Sequence, residues 1–321
     1  MPSKLKPYFE EIHWVTREDM SPLLSGHPAI TKVFSLEKKK GLKGLFELIH
    51  QLRQEKYSHI YDAHNNLRSR LISWFLTPPL ALDRFFDAPL LIRKSQKRWK
   101  RFLLFQLRKN IYRMPFSGQR DLLEPLSNWG IDESLPPTPQ FFVSTQAHDK
   151  ITSLLKEKNF SQFIALGPSA AFELKRWPLD YWKTLIHLFP KEKFVVLGGP
   201  TDHFLQELVA IDPSRVLNLA GETNFQETGA VVALSKALVV NDTGILHIGE
   251  QLGKSTIALM GPAPFGFPSR PTTKIMELYL SCRPCSKHGQ GPCVNEKYQR
   301  CLVDITPELV QLELQRILAG V

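Results

Sequence analysis

The sequence predicts an α/β protein with parallel sheets, arranged as two Rossmann-like domains. Three observations predict it. Short apolar runs recur, too short for helices and right for buried parallel strands. Amphipathic stretches separate them, the alternation that βαβ units require. The 321 residues exceed what one ordinary core organises and suit two domains.

The stretch from Ala237 to Pro262, ALVVNDTGILHIGEQLGKSTIALMGP, carries the pattern most clearly. An apolar strand, Leu238–Val240, runs into Asn241-Asp242-Thr243-Gly244, residues suited to cap a helix. A helix over Gly244–Leu252 follows, with Ile245, Leu246, Ile248 and Leu252 apolar and Gly253 as its stop. A second strand, Thr256–Met260, closes the unit. The helix N-terminus offers free N–H groups and partial positive charge, which suits a phosphate. His247, one turn in, faces the same mouth. Any βαβ unit needs a capped helix, so Asp-Thr-Gly alone is a weak signal.

Other elements follow in order. Strands are expected near Glu11–Val15 and Ile30–Phe34, and a helix over Gly41–Glu55 with Leu42, Leu45, Phe46, Ile49 and Leu52 on one stripe. His59–Asp62 reads as a strand and Leu67–Phe75 as a helix. Leu90–Arg113 reads as one basic amphipathic helix, with Arg93, Lys94, Lys97 and Arg98 among Trp99, Phe102, Leu103 and Ile111. It suits an anionic membrane or acceptor, or equally a solvated surface helix. Ile131–Pro139, IDESLPPTP, is the best linker, which puts the domains at 1–140 and 141–321.

In the second half, strands are expected at Phe163–Leu166, Phe194–Leu197, Val216–Leu219, Leu238–Val240 and Thr256–Met260. Helices are expected at Leu179–Leu188, Thr201–Ala210, Phe225–Ser235, Gly244–Leu252 and Pro307–Leu318. Ligands of such a sheet bind at the carboxyl ends of its strands. Four consecutive strand ends carry glycine or short polar residues: Gly167-Pro168-Ser169, Gly198-Gly199-Pro200 with Asp202, Gly221, and Asp242-Thr243-Gly244. Lys175 lies just beyond the first, a point charge for a phosphate or an ordinary surface lysine. Neither a dinucleotide fingerprint nor a Walker A loop occurs in this half.

Composition narrows the classes. Hydrophobic content of 43% is that of a globular chain, and no apolar run reaches the roughly 18–20 residues of a membrane span. MPSKLKPYFEEIHW has no apolar h-region, so no signal peptide is read there and the cytoplasm is expected. A net charge of +10 calls for an acidic partner: nucleic acid, an anionic membrane surface or an anionic substrate.

The segments GPSAAFELKRWPLDYW, VVLGGPTD, LNLAGETNFQETGAVVALSKALVVNDTGILHIGEQLGKSTIALMGP and CRPCSKHGQGPCVNEKYQRCLVDITPELV resemble glycosyltransferase family 9, the ADP-heptose:lipopolysaccharide heptosyltransferases. WVTREDMSPLLSGHPAITKV and YDAHNNLRS are similar to that family's first domain. The resemblance implies a GT-B fold, two Rossmann-like domains facing a cleft, with the sugar nucleotide on the second. It implies inverting transfer of heptose from an ADP-sugar donor to a lipid-linked core oligosaccharide acceptor, without a cofactor or catalytic metal. Lys175 and Asp242 would be the catalytic residues, and Ser169, Asp202, Thr243, Gly244 and His247 would bind substrate. The expected setting is cytoplasmic, on the anionic inner membrane surface, with no nucleic acid partner. The alternative is an inactive GT-B protein that binds nucleotide or membrane only.

The chain departs from the family pattern in two places. Family members open with a first strand and a Gly-Asp loop whose aspartate is the expected base. Here Pro2, Leu5 and Phe9 lead directly into Ile12-His13-Trp14-Val15, which implies a truncation or misassigned start, with Asp62 the nearest substitute base. Ala170 and Ala171 stand where hydroxyl side chains would help hold phosphate.

The four cysteines, Cys282, Cys285, Cys293 and Cys301, crowd one window. Their spacing allows a structural tetrahedral S₄ metal site that ties down Ser281–Leu302; four reduced thiols or two disulfides are the alternatives.

Overall fold

The computed structural model describes residues 1–77, 88–113, 116–264 and 266–320. In chain order its first elements are α1 (Pro2–Leu5), β1 (His13–Arg17), β2 (Lys32–Leu36), α2 (Gly41–Arg53), β3 (His59–Asp62), α3 (Leu67–Leu76), β4 (Leu90–Arg93), α4 (Arg98–Gln106) and α5 (Gly118–Leu123). Then come α6 (Thr145–Glu157), β5 (Ile164–Gly167), α7 (Leu179–Leu188), β6 (Phe194–Val196), α8 (Gln206–Val209), β7 (Val216–Asn218), α9 (Phe225–Leu234) and β8 (Leu238–Asn241). The last are α10 (Gly244–Leu252), β9 (Thr256–Leu259), β10 (Thr273–Met276), α11 (Arg300–Val303) and α12 (Pro307–Ala319).

Contacts divide the chain into two compact units. One is Met1–Arg101 with Gln119–Pro137; the other is Phe102–Gly118 with Thr138–Val321. One cut falls in the proline-rich stretch after Ile131 and another inside α4.

In the first unit β1 pairs with β2 and β3 with β4, each in parallel register. Its core is divided too. Leu5, Ile12, Leu123, Leu126 and Ile131 form one cluster, and Phe34, Leu48 and Leu52 another. The expected basic helix over Leu90–Arg113 is corrected: the segment is the strand β4, a loop and the nine-residue α4. The apolar run Leu90-Leu91-Ile92 pairs with His59–Tyr61, and two of the basic residues after it, Lys94 and Lys97, form local ion pairs. Lys94 Nζ lies 2.7 Å and Lys97 Nζ 2.6 Å from the Asp121 carboxylate.

In the second unit one six-stranded parallel sheet runs β10-β9-β8-β5-β6-β7. Successive side chains of its central strands are buried on opposite faces. Ile164 and Leu166 belong to one core cluster with Trp177, Trp182 and Leu185, and Ala165 to the other with Ile151, Val195 and Leu246. That two-sided burial is why these strands read as continuous apolar runs. α6 was not expected, although Ala147, Ile151 and Leu155 recur at helical spacing and Ser144 caps it by accepting from the Ala147 N–H at 3.2 Å. The expected Thr201–Ala210 helix is instead a 3₁₀ turn, His203–Leu205, and the short α8. Among the described residues, no helix is long and apolar enough to cross a membrane.

Candidate functional site

The carboxyl ends of β5, β6 and β8 converge because the three strands are neighbours. β8 ends at Asn241, which is wholly buried. Its Nδ2 donates to the Pro168 carbonyl at 2.6 Å, and its Oδ1 accepts from the Trp177 N–H at 3.2 Å. One amide thus ties the end of β8 to both flanks of the loop that carries Lys175. Trp177, 2% exposed, anchors that loop further by donating Nε1–H to the Ile305 carbonyl at 2.7 Å.

Lys175 and Asp242 meet. Nζ lies 2.8 Å from Asp242 Oδ2, and the side chains are 15% and 5% exposed. Two glycines make room for the pair. A Cβ on Gly266 would fall 2.1 Å from Asp242 Oδ1. A Cβ on Gly289 would fall 2.6 Å from Lys175 Cγ, and its φ of +86° already favours glycine.

Asp242 does not cap α10. The N-cap is Thr243, and no side chain bonds back to the helix. The first N–H groups of α10 therefore remain without a side-chain acceptor. Gly244 and His247, three residues apart, are both exposed on the first turn. His247 Nδ1 lies 3.4 Å from Glu250 Oε2. Glu250 is wholly buried, and its Oε1 accepts from the backbone N–H groups of Ser269 and Arg270. Sequence reasoning passed over Glu250, although an acid three residues after His247 on an apolar helix was a signal.

Ser169 and Asp202 also come together, but as buried parts of the floor. Ser169 Oγ donates to Asp202 Oδ2, which also accepts from the Gly199 N–H at 2.7 Å. Arg176 lies 3.6 Å from Asp202 Oδ1 and was not singled out from the sequence. Asp62, in the first unit, does ordinary strand-end work with one oxygen: Oδ1 accepts from the His64 and Asn65 N–H groups at 3.1 and 2.7 Å.

The cysteine segment backs the same loop. Tyr298 Oη donates to Glu173 Oε1 at 2.9 Å, and Gln299 Nε2 to the Glu173 carbonyl at 2.7 Å. The four thiols are free and line one small cavity. Among the described residues no group of three or more such side chains is placed to hold a metal, so the S₄ expectation is corrected. The sulfurs serve protein donors instead: Asn295 Nδ2 donates to Cys282 Sγ at 3.4 Å and the Gln299 N–H to Cys293 Sγ at 3.3 Å. Burial pushes the Cys301 thiol up to about 11, which keeps it protonated.

Known proteins resemble the chain along most of its length. The profile of glycosyltransferase family 9 (heptosyltransferase) matches residues 45–299. The lipopolysaccharide heptosyltransferase 2 of Salmonella typhimurium is 26% identical over 320 residues, covering 93% of this chain and 87% of that protein. Among solved structures, a glycosyl transferase family 9 protein of Veillonella parvula aligns with a TM-score of 0.77 at 18% identity, covering 100% of this chain and 92% of the other. The Escherichia coli ADP-heptose lipopolysaccharide heptosyltransferase II aligns with a TM-score of 0.70 at 22% identity, covering 99% and 93%. The fold class is therefore α/β of the GT-B type.

Proposed function

Because the chain belongs to glycosyltransferase family 9, we propose that it moves heptose from ADP-heptose to the inner core of lipopolysaccharide. The Lys175–Asp242 pair beside the uncapped N-terminus of α10 carries the reading. A diphosphate is a dianion or more, and this is the place where fixed positive charge and free N–H groups coincide. Lys175 has three N–H donors, so it can keep Asp242 and still hold a phosphoryl oxygen. Asp242, Thr243 and His247 then receive the sugar hydroxyls. Transfer is inverting: an acceptor hydroxyl attacks the anomeric carbon opposite the leaving ADP and gives its proton to a carboxylate. Lys175 and the α10 dipole stabilise the diphosphate as it leaves, and no catalytic metal is required.

The test is incubation with ADP-heptose and a heptose-deficient core acceptor. The expected outcome is acceptor-dependent release of ADP. Tight ADP-heptose binding without release would sink the transfer reading and leave nucleotide binding alone.

The acceptor is lipid-linked, so the cytoplasmic face of the anionic inner membrane is the proposed setting. The supporting feature is α4, where Trp99 and Phe102 are 64% and 55% exposed beside exposed Arg98. Aromatic rings and arginine together suit a headgroup interface. Trp99→Ala with Phe102→Ala should reduce co-sedimentation with anionic vesicles; unchanged sedimentation would leave α4 a plain surface.

A further inference from the structure

The cysteine segment grips the loop that carries Lys175. Gly289 lies against it: a Cβ there would fall 2.6 Å from Lys175 Cγ and 3.3 Å from Phe172 Cβ. Tyr298 Oη holds the Glu173 carboxylate at 2.9 Å, and Gln299 Nε2 holds the Glu173 carbonyl at 2.7 Å. Leu174 lines the cavity that the four cysteines share. Gly289 stands midway between Cys285 and Cys293, and Gln299 just before Cys301.

The thiols are placed to react with one another. Their cavity holds about 10 Å³, room for about one water, so the cysteines that line it meet at short range. Cys282, Cys285 and Cys293 are half-buried and open to a small solute, whereas Cys301 is sealed in the core. Among the described residues no three are set to hold a metal, which leaves pairwise chemistry. Burial, and then the nearby Cys282 and Cys293, push the Cys285 thiol up, so Cys285 has both as neighbours. A thiol so raised is a poor first nucleophile, and Cys285 is the second of a pair to react.

We propose that Cys285 and one half-buried neighbour, Cys282 or Cys293, form a reversible disulfide by exchange with a low-molecular-weight disulfide, and that the bridge loosens the Lys175 loop. The step balances. The neighbour's thiolate attacks the small disulfide and releases one small thiol, leaving a mixed disulfide. Cys285 gives up its proton, attacks the neighbour's sulfur and releases the second small thiol, which takes that proton. Two cysteines are oxidised and one small disulfide is reduced. Either neighbour leaves a donor behind. Cys282 Sγ accepts from Asn295 Nδ2 at 3.4 Å and Cys293 Sγ from the Gln299 N–H at 3.3 Å. Both donors belong to the stretch that fastens Glu173, and the turn bearing Gly289 begins beside Cys285. Lys175 then loses the support that holds it 2.8 Å from Asp242. The consequence for ADP rests on the proposed function; the bridge and the loosened loop do not.

The test treats the full-length protein at pH 8 with glutathione disulfide or with reduced glutathione. Peptide mapping by mass spectrometry locates bridges, amide hydrogen exchange follows residues 173–176, and calorimetry measures ADP binding. The oxidised protein should carry a bridge that includes Cys285. It should exchange faster at residues 173–176 while Ile164–Gly167 stays unchanged as the reference. ADP should bind about tenfold more weakly, as expected when a binding group is displaced, and dithiothreitol should reverse all three changes. Cys285→Ser should bind ADP like the reduced parent and stop responding to oxidation. So should the protein carrying both Cys282→Ser and Cys293→Ser. No bridge, a bridge without Cys285, a glutathione adduct that never resolves, or a bridged protein with unchanged exchange would overturn the proposal. A reduced parent that does not bind ADP would overturn the donor reading instead, and mapping and exchange would still decide this one.

Discussion

The two units use similar segments with different results. Each residue of β5, β8 and β9 is buried, whereas β1 and β3 are mostly half-buried. A parallel strand is held by a neighbour on each edge and a layer on each face. β5 has all four; β1 and β3 each lack one edge neighbour among the described residues. An isolated pair of strands is marginal in water, so the first unit leans on its helices. The comparison teaches that strand strength here is positional: apolar sequence alone does not supply it.

The largest expected effect tests that comparison directly. Leu166→Ala in β5 should destabilise the second unit by about 3–5 kcal/mol, the loss for a fully buried leucine without room to relax. Ile60→Ala in β3 should cost about 1–2 kcal/mol, because its side chain is only partly buried. Denaturant unfolding followed by a probe in each unit measures both. Similar losses would mean that the two sheets are equally consolidated.

Next in size is the pair at the crevice. Lys175→Ala should lower kcat/KM by about 30- to 1,000-fold, roughly 2–4 kcal/mol, as for other lost transition-state donors. It also leaves the Asp242 carboxylate buried beside Gly266, so stability should fall as well. Asp242→Asn keeps the shape and removes the charge, and should cost turnover with little loss of stability. If both variants bind ADP-heptose and turn over like the parent, the crevice of the second unit is not the donor site.

These pairings mark what a sequence can carry. The central strands of the second unit were legible within a residue or two, because burial on both faces leaves an unbroken apolar run. β4 was not: Leu90-Leu91-Ile92 is only three apolar residues, and the basic residues after it read as one helix. Strand ends were legible as glycine and short polar residues, which located Asp242 and Lys175 near one mouth. Their contact was not, since it depends on Asn241 fastening two loops across the sheet. Spacing misled at the cysteines. It counts residues but does not report side-chain placement: the four thiols line one small cavity, yet among the described residues no three are set to hold a metal, and Cys282 and Cys293 accept from Asn295 and Gln299.

A smaller effect is expected at Glu250, the buried acid under His247. Glu250→Gln should lower turnover a few-fold and stability by about 1–2 kcal/mol, since its oxygens serve two backbone N–H groups as well as the imidazole. The two functions separate in a double-mutant cycle with His247→Ala. If Glu250 acts through His247, the double variant turns over no more slowly than His247→Ala alone. Additive losses would make Glu250 a loop anchor and nothing more.

The smallest effect concerns how far the dense packing of the second unit extends into its cysteine segment. Cys301 is buried with Leu302 against the main core, whereas Cys282, Cys285 and Cys293 are half-buried. Burial raises the Cys301 thiol from 9.0 to about 11. The folded state therefore favours the neutral thiol, and the sign follows. Its contribution is fully present below the ordinary thiol value and is lost as pH rises from about 9 through about 11. Cys301→Ala should flatten that part of the stability profile while making a small cavity. In the native protein at pH 8, Cys301 should be the slowest of the four to alkylate, because reaction needs both thiolate and access. Labelling at the rate of Cys282 would mean that the segment opens readily and that the packing around β5 stops short of it.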